Sequence, residues 1–137
     1  WSKRSTFDRN KTLWAAWMVK WPDFSFYFAG DAGYSNDFKN VAQKLGKPTL
    51  AAIPIGAYEP REFMKAAHAN PDEAVKIFLD LGAKYAIGIH WGTFKLTLEP
   101  MNEPPLKLKE AIERYNISKD RFRTLKHGEQ WPEIFLD

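Results

Sequence analysis

Two turns in this sequence carry side chains that can bind a metal ion. Phe28-Ala-Gly-Asp-Ala-Gly-Tyr-Ser35 ends one apolar and aromatic run with Asp31, and Gly88-Ile-His-Trp-Gly-Thr-Phe94 ends another with His90. A carboxylate and an imidazole delivered from the carboxyl ends of two buried strands can converge on one ion, because ligands of open α/β sheets gather at that edge. Each residue also has an ordinary reading. Asp31, on a Gly-flanked turn ahead of a helix, suits a helix cap, and His90 suits a hydrogen-bonded core imidazole. His68, after Phe63-Met-Lys-Ala-Ala67, can serve as a general acid or touch substrate, or it can be a structural loop histidine. Tyr58, Glu59 and Arg61 cluster beyond an apolar run. They read either as a solvated loop with a Glu–Arg pair or as a rim that positions substrate and supports the ligands. Pro54, Gly56 and Pro60 stiffen that loop. His127, in Lys126-His-Gly-Glu129, receives no role.

The elements that must position these residues follow from periodicity and punctuation. Residues 13–20 are apolar almost throughout and predict a buried strand, turned at Trp21-Pro-Asp23 into an antiparallel strand over 25–29. Residues 36–45 show helical spacing, with Phe38, Val41, Ala42 and Leu45 on one face, stopped by Gly46 and Pro48. Residues 49–53 form a short apolar strand of the kind covered on both faces. After the 54–60 loop come one or two helical turns over 61–67. Asn70-Pro-Asp-Glu73 then opens a helix to Leu81 with its face at Ala74, Ile77, Phe78 and Leu81. A strand over 85–89, a helix over 103–115 and an edge strand over 121–125 complete the pattern. Alternating strands and helices predict an α/β layered domain. The aromatic excess, including Trp14, Trp17, Phe24, Phe26, Tyr27 and Phe28, is assigned mostly to core packing.

Composition narrows the chemistry. At 137 residues, 45% hydrophobic, the chain has the size of one ordinary domain and enough apolar surface for a core. Its net charge of +3 tolerates an anionic substrate or an acidic lipid surface. No Lys/Arg stripe with interleaved aromatics is present, so nucleic acid is not an expected partner. There is no cysteine, hence neither a disulfide framework nor a thiolate site, and any metal must be held by His and carboxylate. No apolar run approaches the roughly 18–20 residues of a membrane-spanning helix, and no signal peptide is visible. The expected location is cytoplasmic or peripheral to a membrane.

Several blocks, in one order, resemble a known family. They include Trp1-Ser-Lys-Arg4, Phe28-Ala-Gly-Asp-Ala-Gly-Tyr34, Ala52-Ile-Pro-Ile-Gly-Ala-Tyr-Glu-Pro-Arg61, Pro71-Asp-Glu-Ala-Val75, Ile89-His-Trp-Gly-Thr-Phe94 and Leu125-Lys-His-Gly-Glu129. Together they are similar to the carboxy-terminal half of the N-acylphosphatidylethanolamine-hydrolysing phospholipase D branch of the metallo-β-lactamase-fold superfamily. The resemblance covers nearly the whole chain. It implies half of a four-layer αββα sandwich, two zinc ions between the halves, Asp31 bridging both metals, His90 completing the second site and His68 near the substrate. It also implies a metal-bridging hydroxide that attacks a phosphodiester.

The family's His-x-His-x-Asp-His motif is absent, and a further ligand histidine would directly precede Trp1. Zinc needs three or four protein ligands, so Asp31 and His90 alone should not hold a dinuclear centre. The expected partners are a phospholipid or small phosphodiester and either the missing amino-terminal half or a second copy, which would cover an apolar sheet face. The resulting expectation is a zinc-dependent hydrolase of phospholipase D type, with this fragment inactive alone. The alternatives are a hydrolase of another small ester, resembling a sugar-phosphate lactonase, or a non-catalytic α/β binding module.

Overall fold

The computed structural model describes residues 5–8, 11 and 14–132. A five-stranded sheet runs β1 (Trp17–Lys20), β2 (Ser25–Phe28), β3 (Leu50–Pro54), β4 (Tyr85–Ile89) and β5 (Phe122–Thr124) in that spatial order. β1 and β2 are antiparallel, closed by a Trp21 N–H to Phe24 carbonyl bond of 2.8 Å. β2, β3, β4 and β5 are mutually parallel. Helices α1 (Asp37–Leu45), α2 (Arg61–Met64), α3 (Pro71–Leu81) and α4 (Glu103–Arg114) lie in the crossovers, as parallel strands require.

The core forms between the sheet and these helices. Tyr27, Ala51, Ile53, Ala86 and Phe122 point from successive strands toward Phe38, Val75, Ile77, Phe78, Leu81, Leu108 and Ile112. Tyr27 meets Phe38 edge-on at 6.5 Å, and Phe78 meets Phe122 at 5.4 Å. Helix α3 carries the strongest start signal in the chain. Asn70 Oδ1 accepts the Glu73 N–H at 2.8 Å, and a Glu73 carboxylate oxygen accepts the Asn70 N–H at 3.2 Å. Asn70→Ala removes one half of this reciprocal cap. It should cost about 1 kcal/mol, read as a lowered denaturant midpoint with an unchanged slope.

The other face of the sheet has no helix on it among the described residues. Register puts Trp17, Phe28, Ala52, Ile87 and Arg123 in one row and Val19, Phe26, Leu50 and Tyr85 in the next. Trp131 covers part of this face, edge-on to Tyr85 at 5.6 Å with the Arg123 guanidinium 3.9 Å from its ring. Trp17 and Phe28 are 65% and 40% exposed.

Three expectations change here. The first strand is not buried: it spans only Trp17–Lys20, most of it exposed, because it is an edge strand with an uncovered face; Leu13 lies outside the described residues. Trp14, Trp17 and Phe28 are surface aromatics rather than core for the same reason. Leu45, expected on the packed face of α1, is exposed at that helix's last turn.

Candidate metal site

The strand ends bring Asp31 and His90 together. Asp31 follows β2 through Ala29 and Gly30, and His90 follows β4 directly. His90 Nε2 stands 3.3 Å from Asp31 Oδ1, with both side chains partly open to solvent. His90 takes a left-handed backbone at φ 62, an unusual conformation for a residue with a Cβ. The turn is wedged tightly against the end of β3. The Ile55 N–H donates to the Ile89 carbonyl at 3.0 Å, and a Cβ placed on Gly56 would run into the His90 carbonyl oxygen. The Asp31 turn is held similarly. A Cβ on Gly33 would meet the Ala66 and Lys65 carbonyl oxygens at 2.7 and 2.8 Å, and the Ala69 N–H donates to the Ala32 carbonyl at 2.8 Å. Asp31 is not a helix cap: α1 begins at Asp37 with Asn36 in the cap position.

His68 joins the pair. Its ring stacks on His90 with centroids 5.3 Å apart and planes 19° from parallel. The Nδ1 atoms of both rings are buried without a hydrogen-bond partner. Burial, then the neighbouring His90, hold the His68 pKa below the ordinary imidazole value, against the pull of Asp31 and Glu99.

The Tyr58–Arg61 segment meets this trio at the His68 backbone. Arg61 pairs with Glu73 at 2.7 Å and not with the Glu59 carboxylate, and it donates to the His68 carbonyl at 2.8 Å. The Glu59 carboxylate instead accepts the Arg61 backbone N–H at 3.0 Å. Tyr58 is buried, and its hydroxyl donates to Glu103 at 2.6 Å; burial and that carboxylate raise its pKa, so the phenol stays protonated. None of the three side chains reaches Asp31 or His90 through a described hydrogen bond; Arg61 links to the site through the His68 carbonyl.

Two residues received no role in the sequence reading. Glu99 accepts the Tyr58 and Glu59 backbone N–H groups at 3.2 and 3.1 Å, and it is 8% exposed. Burial alone would raise its pKa, but hydrogen bonds from Thr97 and from backbone N–H groups outweigh it and hold it low. A carboxyl depressed in the folded state adds stability that is complete above its ordinary value of 4.5 and is lost as pH falls below that. Glu99→Gln should therefore flatten the acid side of the stability–pH curve and leave its shape above pH 6 unchanged, as followed by denaturant titration at stepped pH. His127 is the second: its Nε2 lies 3.2 Å from Thr93 Oγ1, beside the His90 turn. Its only sequence signal was the Lys-His-Gly-Glu turn. Two cavities flank the pair. One of about 330 Å³ adjoins Asp31 and is lined by Trp14, Tyr27, Asp37 and Phe38, and one of about 250 Å³ adjoins His90 and is lined by Trp91, Phe94 and Leu96.

Residues 1–91 match the family described as the beta-lactamase superfamily domain. The chain belongs to this superfamily. Over 132 residues it is 47% identical to N-acyl-phosphatidylethanolamine-hydrolyzing phospholipase D 1 of Caenorhabditis elegans, covering 94% of this chain and 37% of that protein. Over 124 residues it is 41% identical to the mitochondrial N-acyl-phosphatidylethanolamine-hydrolyzing phospholipase D of Saccharomyces cerevisiae, covering 88% of this chain and 26% of that protein. The chain thus spans about a third of the length of these curated relatives. The metallo-beta-lactamase fold protein YhfI of Bacillus subtilis superposes with a TM-score of 0.61 at 19% identity, over 85% of this chain and 43% of that one. The mixed sheet and helices described above match that fold.

The superfamily implies a metal, and the donor pair suits one. Two ligands of a single tetrahedral zinc, at bond lengths of roughly 2.0–2.1 Å, lie about 3.3 Å from each other, which is the observed Asp31–His90 separation. The set is incomplete. No group of three or more metal-capable side chains converges among the described residues.

Proposed function

We propose that Asp31 and His90 are part of the metal site of a hydrolase, completed by ligands outside the described residues. The observation that carries this reading is the approach of Asp31 to His90 at 3.3 Å, fixed by two strand exits and by the close packing at Gly56 and Gly33. Zinc, when bound, would lower the pKa of water and offset negative charge building on a phosphodiester. Asp31 would supply a carboxylate oxygen to the metal and His90 a ring nitrogen. His68 stacks on His90, which places its ring beside the pair, where it can contact substrate or assist proton transfer. Arg61 acts at one remove by fixing the backbone on which His68 sits, and the Tyr58 carbonyl and Glu59 carboxylate hold Arg61 in turn.

The substrate reading is an N-acyl phosphatidylethanolamine or a related phosphodiester, cleaved in the manner of phospholipase D. It is supported by the similarity to two proteins of that name. The exposed side chains of Trp17, Val19 and Phe28, in two adjacent rows, support a partner sheet on the open face. We take that partner to be the other half of the sandwich, with a second copy of the chain as the alternative occupant. Turnover of an N-acyl phosphatidylethanolamine beside a soluble phosphodiester and a sugar-phosphate lactone, with the complete domain, tests the assignment. Phospholipid turnover should dominate; turnover confined to the lactone would contradict it.

A further inference from the structure

Two residues with side chains hold a left-handed backbone beside the site: Ala57 at φ 62 and His90 at φ 62. A Cβ disfavours that conformation, so each persists only where its surroundings over-determine it. His90 is held from β3, by the Ile55 N–H bond to the Ile89 carbonyl and by the close packing of Gly56 against the His90 carbonyl oxygen. Ala57 follows Gly56 directly, so whatever fixes the Ala57 turn also fixes that wedge. The next two N–H groups, of Tyr58 and Glu59, donate to Glu99 Oε1 and Oε2 at 3.2 and 3.1 Å. Successive N–H groups converging on one anion form a nest, and here the chain supplies the anion itself. Hydrogen bonds hold the Glu99 pKa below the ordinary carboxylate value, so both oxygens accept. Glu103, at the start of α4, adds a second tie by accepting from the Tyr58 hydroxyl at 2.6 Å.

These contacts close a circuit. His90 leads through residues 91–98 to Glu99, Glu99 grips the Tyr58–Glu59 backbone, and Gly56 returns to His90. No described hydrogen bond joins Glu99 to Asp31 or His90, so any effect on the pair passes through the backbone. We propose that Glu99 is a positioning residue for His90: by holding the Tyr58 and Glu59 amides it keeps Gly56 wedged against the His90 carbonyl and so sets the direction of the His90 ring. Groups that orient a metal ligand from outside the coordination sphere commonly affect metal affinity or activity by 10–100-fold. The purpose of this device rests on the metal-site reading, but its action on the His90 turn does not.

The experiment compares Glu99→Gln with the parent in the complete domain. Glutamine keeps one acceptor oxygen and sets an NH2 group against the second backbone N–H. Gly46→Ala is the control for general destabilisation, since it lies at the stop of α1 and its Cβ meets nothing within 4 Å. The first readout is amide hydrogen exchange without metal. The Ile55 N–H, which reports the β3 contact with the His90 turn, should exchange about 10-fold faster in Glu99→Gln relative to the amides of α3. In Gly46→Ala that ratio should stay at the parent value. The second readout is zinc binding and turnover of a soluble phosphodiester. Glu99→Gln should hold zinc about 10-fold more weakly and, with zinc saturating, lower kcat by about the same factor without raising KM. An unchanged Ile55 ratio would overturn the proposal, as would a zinc affinity that stays at the parent value or falls equally in Gly46→Ala. If the Ile55 amide responds as expected while the parent domain itself binds no zinc, Glu99 stands as the support of the His90 turn and the metal-site reading fails.

Discussion

Asp31→Asn in the complete domain should lower phosphodiester turnover on the order of 1,000-fold while leaving the fold intact. The substitution keeps size and shape and removes a charge that a metal requires; a metal ion's contribution of several kcal/mol to the transition state corresponds to about that factor. The stability change should stay within about 0.5 kcal/mol, because the side chain is 43% exposed and caps no helix. The loss should appear in kcat as well as kcat/KM, since the carboxylate would act in the transition state and not only in substrate binding. Near-normal turnover in the Asn variant would leave Asp31 as a surface turn residue and would contradict its role as a metal ligand.

Gly56→Ala tests the scaffold rather than the ligands. Its added Cβ would collide with the His90 carbonyl oxygen and come within 3.3 Å of the Trp91 Cβ. The obstacle is backbone, so no side-chain rotation relieves it; either β3 or the His90 turn must shift. A cost of about 3 kcal/mol is expected, equivalent to roughly 10 °C in Tm for a domain of this size. Gly46→Ala is the control. Its φ is 85 and nothing lies within 4 Å of its Cβ, so it carries conformational strain without collision and should cost about 1–2 kcal/mol. Differential scanning calorimetry of both variants, with metal content measured alongside, separates the effects. Equal costs would mean that the His90 turn accommodates the methyl and that its left-handed backbone is not enforced from β3.

Much of the architecture could be read from the residues because local signals agreed with long-range ones. Asn70-Pro71 with Glu73 marks the start of α3 in any context, and its Ala74, Ile77, Phe78 and Leu81 face does meet the sheet. Gly46 and Pro48 end α1, and the apolar 49–53 run becomes the central β3. Helical and strand periods, however, give only the face a residue occupies, not whether anything covers it. Trp17 and Phe28 read as core from hydropathy, and both lie in a row without a partner layer among the described residues.

The site was legible as two strand ends and illegible as a network. That Asp31 and His90 approach each other follows from both leaving parallel or near-neighbour strands at the same edge. The Arg61 contact with Glu73, the Glu99 contact with the Tyr58–Glu59 amides and the Thr93 contact with His127 join segments across loops and crossovers. No local spacing encodes such pairings. The expected Glu59–Arg61 pair was the local choice; a capping carboxylate on α3 won because it lies where the guanidinium also reaches the His68 carbonyl.

The most direct measurement is metal content by elemental analysis of the complete domain beside its Asp31→Asn and His90→Ala variants. If these residues hold a shared metal site, the parent should carry about two zinc ions per chain, His90→Ala about one and Asp31→Asn fewer than one, as expected for a terminal and a bridging ligand. Metal content that is the same in all three proteins would contradict the assignment of Asp31 and His90 as ligands.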